Sequence, residues 1–288
     1  QGFTKLYPPQ ADSVKSGLLD GQSILVSAPT ASGKTLIAML AMLSYLSNNK
    51  GKVIYLSPLR ALAAEKFTEF KKLEKITLGN KVKVAISTGD FENIEKNLEK
   101  SNVLILTNEK MDSIIRHSAE WIDDIGLVIS DEVHLIGDES RGPTLEMILT
   151  QLKLLETKPQ IVGLSATITN SDEIADWLEC KLVKNDWRPV PLSEGVCDEG
   201  QVTMSDGKTF EVERSLMGTP IDLGVQSVHQ GGQSLVFAET RTRSKSLATK
   251  ASDAIFQILE KKEITELEKT SKKLLSENEH TEIVKTLA

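Results

Sequence analysis

Short, almost wholly apolar runs punctuate the first two-thirds of this chain, and a helical pattern follows most of them. The runs are Ser23–Ser27, Val53–Ser57, Val82–Ser87, Val103–Thr107, Leu127–Ser130 and Ile161–Ser165. Helical patterns cover Lys34–Leu46, Leu59–Lys75, Lys110–His117, Pro143–Leu155 and Asp172–Leu178. Strands apolar on both faces need cover on both faces, which predicts a parallel sheet between two helix layers. Alternation of strand and helix with right-handed crossovers predicts a doubly wound α/β domain. Ligands of such domains bind beyond the carboxyl ends of the strands.

Composition narrows the class. Apolar residues make up 40% of the 288 and charged residues 26%, as in ordinary globular chains. No apolar run is long enough to span a bilayer, and Gln1-Gly2-Phe3 opens no signal peptide. Two cysteines, Cys180 and Cys197, form neither a disulfide framework nor a zinc pair. The expected compartment is therefore reducing and cytoplasmic. A net charge of −7 weighs against a nucleic-acid partner, yet Lys50 to Lys83 carries nine Lys or Arg against three Glu. On charge alone such a stretch is a solvated face.

Ala28-Pro29-Thr30-Ala31-Ser32-Gly33-Lys34-Thr35 lies between the first strand and the first helix, the context of a P-loop. Backbone N–H groups of the loop and helix N-terminus face the phosphates of ATP. Gly33 permits close approach. Lys34 reaches the β- and γ-phosphates, and the Thr35 hydroxyl coordinates Mg²⁺. Ala28 stands where the general pattern has its first Gly. The strand Leu127–Ser130 then ends in Asp131-Glu132-Val133-His134. Asp131 would hold Mg²⁺, and Glu132 would orient or deprotonate the attacking water. A lone Asp-Glu pair after a strand would otherwise cap the next helix.

Together these motifs resemble superfamily 2 helicases of the DExH type, in the Ski-like group, and most nearly the archaeal repair helicases of that group. Leu6-Tyr7-Pro8-Pro9-Gln10 is similar to their adenine-reading segment, with Gln10 pairing the adenine edge and Phe3 or Tyr7 supporting its ring. Ser57-Pro58-Leu59-Arg60, Thr88-Gly89-Asp90 and Thr107-Asn108-Glu109-Lys110 resemble segments that contact the nucleic-acid backbone. Asn108 stands where relatives often have Pro. Capping of the following helices by Thr107 or Asn108 is an equally physical use of those residues. Asp138-Glu-Ser-Arg141-Gly142-Pro-Thr-Leu-Glu146 extends the acidic motif in the Ski-like manner. Gly163-Leu164-Ser165-Ala166-Thr167 resembles the motif that couples hydrolysis to domain movement, with the Ser165 and Thr167 hydroxyls bonding the acidic pair and His134 linking the two motifs.

The resemblance implies a RecA-like P-loop NTPase domain over residues 1–186, a connector and hairpin-like segment over 187–232, and an incomplete second RecA-like domain over 233–288. In that second part Ser234–Phe237 reads as a buried strand and Ala251–Ala288 as helical. It further implies a motor that hydrolyses ATP and unwinds DNA 3′–5′ in repair or at stalled forks; a monomer is the expectation, although the residues do not specify an oligomeric state. Its catalytic arginine fingers would then be supplied from outside this chain. An RNA helicase of the same group and a non-catalytic nucleotide-binding scaffold are the alternatives.

Overall fold

The computed structural model describes residues 5–48, 51–78, 80–89, 98–215 and 217–277. Phe3 and Asp90 lie outside the described residues, as does the last stretch of the expected Ala251–Ala288 helix. The chain divides into two compact units, Gln1–Pro191 and Leu192–Ala288.

The first unit is built on seven parallel strands: β1 Ile24–Ser27, β2 Lys52–Ser57, β3 Val84–Ser87, β4 Val103–Thr107, β5 Ile125–Ser130, β6 Gln160–Ser165 and β7 Lys181–Lys184. Their order across the sheet is β3–β4–β2–β5–β6–β1–β7. Every neighbouring pair is parallel, so all seven carboxyl ends emerge on one edge. Strands β1, β2, β4 and β6 are buried along their whole length. That is what their unbroken apolar sequences demand, since a parallel sheet has no solvated face.

Helices α2 Lys34–Asn48 and α3 Arg60–Phe70 cover one face, where Ile37, Met42, Ala63 and Phe70 meet Val26, Tyr55, Ile129 and Val162. Helices α4 Asn108–Arg116, α5 Gly142–Lys153 and α6 Ser171–Trp177 cover the other, where Met111, Ile148 and Ile174 meet Leu25, Ile54 and Val128. Two elements lack the apolar signature used above. Helix α1, Pro8–Lys15, opens with Pro at its first position, where a missing N–H costs nothing. Strand β7 reads Lys-Leu-Val-Lys and buries only Val183, as suits a sheet edge.

The second unit begins with an antiparallel three-stranded sheet, β8 Gly195–Asp198, β9 Gln201–Met204 and β10 Thr209–Glu211. The hairpin-like reading of this segment matches it. Glu199 and Gly200 both adopt positive φ, 46° and 84°, as a two-residue hairpin turn requires. Three helices follow, α7 Thr219–His229, α8 Arg241–Phe256 and α9 Lys261–Glu277. Ser234–Phe237 is not a buried strand: it pairs with no strand among the described residues, and Leu235 and Phe237 are 79% and 87% exposed. An apolar run becomes a strand only where another strand satisfies its backbone groups. The helix expected from Ala251 starts earlier, at Arg241, because the Thr240 hydroxyl caps it by accepting the Arg243 N–H at 3.2 Å.

The central strand β5 carries Ile129, fully buried. Ile129→Ala should lower unfolding free energy by about 2–5 kcal/mol, measured by urea titration of the chain.

Candidate nucleotide site and the loops around it

Parallel pairing brings the ends of β1, β5 and β6 together. The Ala28 N–H donates to the Ser165 carbonyl at 3.2 Å, and the Ser27 hydroxyl donates to the Ala166 carbonyl at 3.3 Å. The loop Ala28–Gly33 therefore starts from a fixed point. It contains two left-handed residues, Ala31 at φ 65° and Gly33 at φ 85°. A Cβ at Gly33 would meet the tip of the Gln10 side chain, which could shift, so it is the left-handed φ that favours glycine there. Pro29 and Ser32 are buried, while Thr30 and Ala31 are exposed at the loop tip. Ser32 Oγ is buried without a partner.

Lys34 begins α2 and folds over the loop. Its ammonium donates to the carbonyls of Ala28 at 2.9 Å and Pro29 at 3.2 Å. With three donors, it keeps one for an incoming anion. Burial pushes its pKa down, the Glu132 and Asp131 carboxylates oppose that, and Arg188 adds to the lowering. These four charged groups thus sense one another across the end of the sheet.

Asp131 and Glu132 follow β5. The Asp131 N–H donates to the Leu56 carbonyl of β2 at 3.0 Å, and its Oδ1 accepts the Glu132 N–H at 3.1 Å. Its Oδ2 accepts the Tyr55 hydroxyl at 2.6 Å. Burial, then the charge and bond of Asp131, push the Tyr55 phenol well above its usual pKa, so it stays a donor. Glu132 adopts φ 52°, ψ 46°, a left-handed conformation that costs a non-glycine residue about 1–2 kcal/mol. Its Oε2 lies 3.3 Å from His134 Nδ1, and the Ala166 N–H lies 3.5 Å from that same nitrogen. Nδ1 either donates to Glu132 or accepts from Ala166, according to the tautomer.

That contact corrects the role read for the Ser165-Ala166-Thr167 hydroxyls. Ser165 Oγ is buried and unpartnered, and Thr167 is exposed. What approaches the acidic motif from this strand end is instead the Ala166 backbone N–H, which shares His134 Nδ1 with Glu132 as an alternative partner. A strand's last residue has its side chain committed to one face, whereas the backbone that leaves the sheet is free to turn toward the neighbouring loop.

Gln10 lies beneath the loop, buried. Its Nε2 donates to the Gly33 carbonyl at 3.2 Å and its Oε1 accepts the Tyr7 N–H at 2.8 Å. One amide hydrogen and one oxygen lone pair remain. Tyr7 is half exposed and packs on Trp187, with ring centroids 4.5 Å apart. Trp187 was not a sequence candidate.

The three segments read as nucleic-acid contacts differ in what they present. Pro58 is buried and Arg60 is exposed at the start of α3. Thr88 and Gly89 are half-buried. Thr107 and Lys110 are buried, at 2% and 9% exposure, and the Thr107 hydroxyl caps α4 by accepting the Lys110 N–H at 3.3 Å. Helix capping is thus the use of Thr107 that the geometry displays. The sequence also gave no warning of Lys66, whose ammonium donates to the Thr35 hydroxyl at 3.0 Å and pairs with Glu69 at 3.4 Å.

Comparison with known proteins bears on this arrangement. The family model described as DEAD/DEAH box helicase matches residues 7–174. The chain is 42% identical over 287 residues, its whole length, to the protein named ATP-dependent DNA helicase Hel308 of Pyrococcus horikoshii, and 41% identical over its whole length to the one of the same name in Methanocaldococcus jannaschii. It spans 38% and 24% of those relatives' lengths. The crystal structure of DUF1998 helicase MrfA bound to DNA and AMPPNP superposes with a TM-score of 0.70 over 89% of this chain and 37% of that one, at 20% identity, which is a likeness of fold.

Loss of the Lys34 ammonium removes the cation bonded to the Ala28 and Pro29 carbonyls. Lys34→Ala should weaken nucleotide binding by tenfold or more, on the order of 1.4 kcal/mol, measured by calorimetry. Unchanged affinity would remove the loop Ala28–Thr35 from consideration as a phosphate cradle.

Proposed function

Because this chain belongs to the DEAD/DEAH box helicase family, we propose that it is the ATP-binding part of a DNA-translocating motor, with the site at the carboxyl edge of its parallel sheet. One observation carries the reading: Lys34, at the start of α2 and bonded back onto the loop after β1, and the Asp131–Glu132 pair from the end of β5 lie within mutual electrostatic reach. The chain's 42% identity to proteins named as ATP-dependent DNA helicases supports DNA rather than RNA, and 3′–5′ unwinding in repair is the finer form of the proposal.

The residues present fit Mg²⁺–ATP. Thr35 Oγ1 and the Asp131 carboxylate are hard oxygen donors of the kind magnesium takes, and each keeps a lone pair beyond its present bonds. Two protein oxygens would suffice, since magnesium is typically held by one or two protein groups together with substrate phosphates and water. Bound there, the metal would neutralise charge on the phosphates. The chain's own residues do the rest: loop N–H groups with Lys34 and Ser32 hold the triphosphate, Gln10 reads the adenine edge, and Tyr7 backs the ring. Glu132 takes the proton of the attacking water, and His134 holds the Glu132 side chain. The water-activating Glu132 is the feature that a non-catalytic scaffold has no use for.

The nucleic-acid surface is centred on Arg60 after β2, with Thr88 and Gly89 after β3 on the same edge of the sheet. Lys110 lies too deep to be a main phosphate contact. Such residues contact phosphate and sugar without reading bases. Residues 1–186, 187–232 and 233–288 serve as motor domain, connector and part of a second RecA-like domain. Among the described residues, no helix is long and apolar enough to cross a membrane.

Two measurements test this. In the full-length protein, Glu132→Gln should keep Mg²⁺–ATP affinity and lose turnover by about 10²–10⁴-fold; turnover within a few-fold of the parent would exclude Glu132 as the base. Arg60→Glu should weaken single-stranded DNA binding and flatten the slope of log affinity against log salt by about one. An unaltered slope and affinity would move the surface elsewhere. Parallel assays with matched RNA decide between the DNA and RNA forms.

A further inference from the structure

Both proposed magnesium ligands are gripped by one stretch of chain that no motif reading assigned to the metal. It runs from β2 through the loop Ser57–Leu59 into α3. Tyr55 on β2 donates its hydroxyl to Asp131 Oδ2 at 2.6 Å. Lys66 on α3 donates to Thr35 Oγ1 at 3.0 Å. Between the two lies Arg60, the exposed residue at the centre of the proposed nucleic-acid surface.

Tyr55 is the sharper of the two. Its side chain has no solvent exposure, in a strand whose neighbours are Ile54 and Leu56. Its ring stands edge-on to Phe70 of α3 at 5.0 Å between centroids. Packing therefore fixes where the ring lies, and the sheet fixes where it starts. The hydroxyl meets a carboxylate whose other oxygen is already held by the Glu132 N–H. With both oxygens bonded from the protein side, the Asp131 carboxylate plane cannot turn. A buried phenol satisfied by a carboxylate is also a structural device, since buried hydroxyls need partners. Here, however, the partner is the very group that must present a lone pair to a cation.

Resting on the reading of this edge as a Mg²⁺–ATP site, we propose that Tyr55 is a positioning residue for magnesium. It locks the Asp131 carboxylate in its metal-binding orientation and ties that orientation to the seating of α3, whose first residue is Arg60. Tyr55 touches neither nucleotide nor metal; it acts through Asp131. Partners of this kind behind a metal ligand typically change metal affinity by 10–100-fold when removed.

The test uses the chain with a fluorescent ADP analogue. Binding is titrated with magnesium, and again in EDTA, for the parent, Tyr55→Phe, Asp131→Asn and the double variant. Phenylalanine keeps the ring against Phe70, and a thermal melt of each variant checks folding. Tyr55→Phe should raise the magnesium concentration at half-saturation about 10–100-fold, while metal-free affinity stays within twofold. The double variant should be no worse than Asp131→Asn, because the two residues act as one unit. A midpoint within twofold of the parent, losses that add in the double variant, or an equal loss with and without metal would each overturn the proposal. If the parent's own binding ignores magnesium, the nucleotide-site reading falls with it. If the parent responds and Tyr55→Phe matches it, only the role of Tyr55 falls.

Discussion

The parallel backbone ladder across β2, β5, β6 and β1 is what the rest of the molecule depends on. Because all four strands run the same way, their last residues finish on one edge, with Ser27 level with Ser165 and Leu56 level with Ser130. Two backbone bonds continue the ladder past the strand ends, Ala28 N–H to Ser165 and Asp131 N–H to Leu56. The loop that cradles anions and the loop that carries the acidic pair are therefore extensions of the sheet, held at its spacing. An antiparallel arrangement would send half of these loops to the opposite edge.

Burial and charge then work against each other at that edge. Desolvation lowers the Lys34 pKa, while Asp131 and Glu132 keep its charged form favoured. The same carboxylates raise the Tyr55 phenol, whose proton is thereby retained for Asp131. Charges that would be costly apart compensate one another, and the surplus is a set of donors and acceptors pointing out of the sheet. The left-handed Glu132 is the strained member. Strain of this sort persists where the surroundings over-determine it, and here the Asp131 bond behind it and His134 beside it do so.

Much of this was legible from residues alone. Six of the seven strands announced themselves because burial on both faces keeps their interiors almost wholly apolar, with polar residues confined mostly to their ends, and the loop and acidic pair followed from their places after β1 and β5. Edge strand β7 was not legible, because one buried valine between lysines is no signal. Ser234–Phe237 misled for the opposite reason: its composition suits a buried strand, but strand formation depends on a partner that a local window cannot reveal. The hydroxyls of Ser165 and Thr167 misled because sequence gives residue identity without direction. Tyr55 did leave a trace, a polar tip inside the run Val53–Leu56. Lys66 left none, since a lysine on a helix is ordinary until the neighbouring helix α2 brings Thr35 to it.

The central claim is that one edge of this sheet holds Mg²⁺–ATP between the loop Ala28–Thr35 and the pair Asp131–Glu132. A crystal structure of the chain with magnesium and a non-hydrolysable ATP analogue tests it most directly. The account predicts the triphosphate on the N–H groups of Gly33 to Thr35 with Lys34 at its end, and the metal shared by Thr35 and Asp131. A nucleotide seated elsewhere, or a metal that touches neither residue, would contradict it.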